Sequence, residues 1–190
     1  MKRIGVLMLS VGLLGPSLLG QGRIKLDVKT KFSEKFDLKG IKYGTMHQLE
    51  ESGFEIVEIG EDYCVWLKDY SEEKTGENDF AYRLHISITE PSAAAEKPAI
   101  VERKLTGGYE SDIVTYQRDD DFLDYMGKLG NYFVASHRKH IWESLSDVEK
   151  IRAYEIGRKV AKEIQDLVKF ELMRIFQEGS DGKCQLYWLE

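Results

Sequence analysis

Apolar and polar residues alternate with a period of two at residues 23–32, where Ile24, Leu26, Val28 and Phe32 interleave with Lys25, Asp27, Lys29 and Lys31. That spacing predicts a strand with one buried and one wet face. A short helix follows over residues 41–52, stopped by Gly53, and then strands over 54–59 and 63–68. Residues 69–79 are acidic and polar without a period and read as a loop. The cleanest alternation lies at 80–89: Phe80, Tyr82, Leu84, Ile86 and Ile88 share one face, and Ala81, Arg83, His85, Ser87 and Thr89 the other. Gly107-Gly108 then reads as a tight hairpin turn between strands at 99–106 and 109–116, which sets Arg103 opposite Asp112 and Val101 opposite Val114.

The period then changes. Phe122, Met126, Leu129 and Phe133 recur at helical spacing behind Asp119-Asp120-Asp121, and acidic residues suit the positive end of a helix. Ser146 and Glu149 are spaced as a capping box, opening a long helix that carries Val148, Ile151, Val160, Ile164, Leu167, Val168, Leu172 and Ile175 toward a core. Gly179 ends it, and residues 184–189 form a last strand. The expected class is α+β: a mainly antiparallel sheet of six to seven strands, with a short N-terminal helix and two C-terminal helices, one long, on one face. The first strand, first helix and second strand suit a βαβ unit.

Residues 1–22 fall outside this pattern. Lys2 and Arg3 precede an uncharged run broken by Gly12, Gly15, Pro16 and Gly20, the positive start, apolar core and small-residue exit of a secretory signal peptide. Those breaks argue against a spanning helix. Gln21 stands where a lipid-carrying cysteine would be needed, so a lipid anchor is not expected there. Cleavage after Gly20 or Gly22 would leave one α+β domain over 23–190 in the periplasm or outside the cell, with no stable membrane span.

Cleavage also removes two of the 27 basic residues, leaving 25 against 33 acidic ones and a net charge of −8. That balance argues against nucleic acid as a partner. Cys64 and Cys184 are the only cysteines. In an oxidising compartment they could form a disulfide; otherwise they pack as small apolar side chains. Neither has the histidine surroundings of a catalytic thiol. His137 and His140 flank Arg138 and Lys139, which repel a cation, so the segment reads as a solvated basic helix end. The run at 119–121 lacks the alternating ligands and loop glycine of a calcium site. No phosphate loop, nucleophile elbow or dinucleotide fingerprint occurs, and neither a metal nor a cofactor is expected.

What runs against the overall charge is the wet side of two strands. Lys25, Lys29 and Lys31 on the first and Arg83 and His85 on the 80–89 strand would make one basic patch if those strands were neighbours, fit for an anionic ligand or a protein partner. The plainer reading is the ordinary solvated face of an antiparallel sheet. The sequence therefore points to an exported, non-enzymatic accessory or binding protein of the cell envelope. The alternative is a small secreted hydrolase whose acids or histidines meet only in three dimensions.

Overall fold

The computed structural model describes residues 23–27, 38–57, 61, 63–90 and 99–178. Its elements run in order β1 (Arg23–Asp27), α1 (Lys39–Glu51), β2 (Glu55–Ile56), β3 (Tyr63–Lys74), β4 (Asp79–Thr89), β5 (Val101–Glu110), α2 (Ile113–Tyr116), α3 (Asp120–Ala135), α4 (Lys139–Ser144) and α5 (Asp147–Arg152). A π-helical segment, Ala153–Gly157, joins α5 to α6 (Arg158–Glu178). The sheet order is β2-β1-β3-β4-β5; β1 is parallel to both β2 and β3, and β3, β4 and β5 are antiparallel. The class is α+β, with β1-α1-β2 as the βαβ unit. The two expected C-terminal helices, α3 and the continuous run through α6, are accompanied by the short α2 and α4. No described helix is long and apolar enough to cross a membrane.

Five strands are present among the described residues; one of the six or seven expected is lost because Gly107-Gly108 is not a turn. Strand β5 runs straight through both glycines, and Gly107 pairs with Tyr82 and Gly108 with Ala81. Neither has the positive φ a tight hairpin needs; Gly53 is the only described glycine that does. Gly107 instead makes room: a Cβ there would lie 2.7 Å from the Tyr82 hydroxyl. Arg103 therefore pairs with Ile86 and Val101 with Ile88. Asp112 caps α2 by accepting from the Val114 amide at 3.0 Å. The expected loop at 69–79 is mostly strand as well. A one-residue bulge between Lys68 and Ser71 shifts the side-chain phase, which hides the alternation, and β3 continues to Lys74. The expected strand at 184–189 lies outside the described residues.

Local chemistry explains most of the boundaries. Gly53, at φ 87°, ends α1 in the left-handed region while the Phe54 amide donates back to the Leu49 carbonyl at 3.0 Å. Asp119 caps α3 through the Asp121 and Phe122 amides. Ser146 and Glu149 form the reciprocal capping box at the start of α5.

One face of the sheet and the helices share a single core. Val65 and Leu67 from β3 and Tyr82, Leu84, Ile86 and Ile88 from β4 meet Leu49, Leu129, Phe133, Ile151, Ile156, Val160 and Ile164. Helix α1 crosses the π segment at backbone contact distance. A Cβ on Gly44 would lie 2.6 Å from the Ala153 carbonyl oxygen, and one on Gly40 would run into the Glu149 carbonyl. The Tyr125 hydroxyl reaches both facing carbonyls, Gly44 at 3.3 Å and Ala153 at 3.2 Å.

Candidate functional site

The face of the sheet turned away from the helices carries two different surfaces. At the end near β1 it is closed: Cys64, Trp66, Ser87 and Thr89 are buried, and the Trp66 indole donates to Thr89 Oγ1 at 3.1 Å. Cys64 lies 3.4 Å from a Glu61 carboxylate oxygen. Its proposed partner Cys184 is outside the described residues.

The other end is open and charged. Register aligns Lys68, His85 and Lys104 in one row across β3, β4 and β5, with Ser71, Arg83 and Thr106 in the next. Arg83 and Lys104 are exposed, and Lys68 and His85 half-buried. Beyond Arg83, a depression of about 310 Å³ is lined by Ser71, Glu73, Ala81 and Arg83. The row is not purely basic. His85 Nδ1 is 3.6 Å from Asp69, and its Nε2 is 3.4 Å from Glu102. Asp69 reaches His85 from the bulge, where its φ of 51° is left-handed.

This arrangement rewrites the expected patch. Strand β3 separates β1 from β4, so the two basic strands are not neighbours. Lys25 pairs with Cys64, which pairs with Thr89, six residues along β4 from Arg83. Lys29 and Lys31 lie outside the described residues. Arg83 and His85 do come together, and Lys68 and Lys104 join them. Those two lysines were legible once the neighbouring strands were known; the false hairpin at Gly107 concealed the register of Lys104.

His85 and Ser87 share this face, but the buried Ser87 Oγ has no hydrogen-bond partner, so no nucleophile–base pair exists here. His137 takes a left-handed φ of 57° before α4 begins at Lys139, which removes the shared helix face its spacing with His140 suggested. Among the described residues no group of three or more His, Cys, Asp or Glu side chains is placed to hold a metal.

A strongly paired charge cluster lies on the helix side. Arg152 donates to both Glu72 oxygens, at 2.7 and 3.0 Å, and to the Tyr109 hydroxyl at 3.0 Å. The Tyr70 hydroxyl donates to Glu72 at 2.7 Å. Burial pushes Tyr109 up to about 12 and Tyr70 higher still. The cluster fastens the far end of β3 to α5. Every group in it is engaged, so its role is structural.

No family model and no curated protein matches the chain. Similar solved structures include a minor lipoprotein from Acinetobacter baumannii, with 16% identity and a TM-score of 0.36 over 75% of this chain and 92% of that one. Another is rare lipoprotein B from Shewanella oneidensis, with 14% identity and a TM-score of 0.28 over 63% of this chain and 98% of that one. Overlays this partial leave the site to be argued from its own geometry.

Proposed function

We propose that the protein is exported through its N-terminal segment and acts in the cell envelope as a non-enzymatic accessory or binding protein. Its working surface is the open end of the sheet, where Arg83, Lys68 and Lys104 flank His85. The observation that carries this reading is the form of that surface. A hydrolase would need a nucleophile or a water-activating pair enclosed with its base, whereas His85 stands on a shallow strand face between two acidic side chains. Shallow, mixed-charge surfaces suit a partner whose own charges interleave with them, and such contacts set specificity and association rate more than affinity.

The test has two parts. Mass spectrometry of the native protein should find a mature N-terminus at Gln21 or Arg23 in the envelope or extracellular fraction; an intact residue 1–20 segment on a cytosolic protein would overturn the export reading. A partner captured from the envelope fraction should then bind the Arg83→Gln/Lys104→Gln variant more weakly at low salt, with little difference at high salt, because screening already removes that attraction. Equal binding at low salt would remove this face from the interaction.

A further inference from the structure

On the opposite side of the molecule, a groove of about 430 Å³ runs between α1 and the first turns of α6. Its charged lining is three cations, Arg158, Lys159 and Lys162, against one acid, Glu155, with the amides of Gln48 and Gln165 at its rim. That is a local reversal in a chain of net charge −6. The cations are not equivalent. Lys159 is 3.4 Å from Glu155 and so partly neutralised. Arg158 and Lys162 have no carboxylate within ion-pair distance among the described residues.

Arg158 is also held in place. Its guanidinium lies 4.6 Å from the Tyr154 ring centroid and 5.8 Å from that of Tyr125, so contact with the two rings orients the donor fork. Lys162 follows one turn later on the same helix side, where two like charges four residues apart repel. An anion between them would relieve that repulsion. Gln165 continues the stripe and is steadied by its bond to Ser52 Oγ at 2.9 Å.

A planar fork from one residue and a mobile ammonium from the next turn suit an oxyanion that presents oxygens in more than one plane. A carboxylate can fill the fork, but the lone pairs it has left lie in that same plane. A phosphate can keep both fork contacts and turn a further oxygen toward Lys162. We propose that this groove is a binding site for a phosphate group, either free or carried on a small molecule. The inference stands on groove geometry alone, independent of export or of the sheet face.

Titration of the chain with inorganic phosphate, glycerol phosphate or acetate at constant ionic strength, followed by amide chemical shifts, tests it. Phosphate should give saturable shifts at Arg158, Lys162 and Gln165, with a dissociation constant on the order of a millimolar. Arg158→Gln should weaken binding about tenfold or more, Arg158→Lys less, and Lys139→Gln on α4 not at all. Tighter binding of glycerol phosphate would assign a carried phosphate, and equal binding a free one. Non-saturating shifts, an equal response to acetate, or full binding by a folded Arg158→Gln variant would overturn the proposal.

Discussion

Removing the charge of Glu72 isolates what the buried cluster contributes. The Glu72 side chain is 7% exposed and that of Arg152 15%, so neither charge can recover bulk hydration in place. Glu72→Gln preserves shape, but it leaves the guanidinium facing a neutral amide and loses the charge-assisted bonds at 2.7 and 3.0 Å. Breaking one side of a buried pair costs about 3–5 kcal/mol, most of it the penalty of the stranded partner. At roughly 2–4 °C per kcal/mol for a chain of this size, the melting temperature should fall by about 10 °C. Urea unfolding followed by tryptophan fluorescence reads the same loss, since Trp66 is buried. A Glu72→Leu/Arg152→Met double variant removes both charges and should be less destabilised than either single change. Tyr70 and Tyr109 then each forfeit a partner, at about 1 kcal/mol apiece. The cycle should therefore show coupling of roughly 2 kcal/mol or more. A Glu72→Gln loss below about 1 kcal/mol, or strictly additive changes, would refute the reasoning.

Two further outcomes follow from neighbouring groups. Gly44→Ala should destabilise by about 2 kcal/mol or more, because its Cβ would meet the Ala153 carbonyl at 2.6 Å. Gly127→Ala, in the exposed middle of α3 with nothing within 4 Å of its Cβ, should stabilise by about 0.5–1 kcal/mol in the same denaturation assay. His47 is buried between the rings of Tyr125 and Tyr132 and its Nδ1 has no partner; burial holds its pKa below the usual 6.5 against the opposing pull of Glu51. The unfolded chain therefore binds a proton more readily at this site, so the stability it contributes is complete above pH 6.5 and declines as pH falls below that value. Melting curves between pH 7.5 and 5 should show a smaller acid loss for His47→Leu than for the unaltered chain; an equal or larger loss would reverse the sign.

The elements easiest to read from sequence were those whose signals are local. The alternation of Tyr82, Leu84, Ile86 and Ile88 marks β4 because one face packs on helices, and Ser146 with Glu149 marks α5 because the cap is a contact three residues long. Errors came where a distant contact overruled the local signal. Residues 69–74 look like a loop because Glu72 is charged, yet Arg152, eighty positions away, makes that charge a core component. Gly107-Gly108 looks like a turn because glycine permits one, yet here the missing side chain accommodates the Tyr82 ring. The site followed the same rule. Arg83 and His85 share a face by alternation within one strand, whereas Lys68 and Lys104 join them only through register across three. The groove cations Arg158 and Lys162 were not singled out in the sequence: their four-residue spacing on a helix is ordinary, and the surface they line needs α1 opposite them.

The π segment shows why these distant contacts belong together. A widened turn disturbs the helical ladder and leaves carbonyls short of their usual donors, and such segments often mark functional sites. Here Tyr125 donates to the Ala153 carbonyl and Thr45 Oγ1 to that of Gly157, at 3.2 and 3.3 Å. Both donors come from the elements packed on the segment, and the glycines of α1 let them approach. Residue order then fixes the consequences along one helix. Arg152, just before the segment, points to the sheet and binds Glu72; Arg158, just after it, stacks on Tyr154 at the groove. The widened turn sets the angular offset between those two arginines, so a change that restores regular α geometry should disturb the buried pair and the groove together, while the sheet face around Arg83 keeps its register.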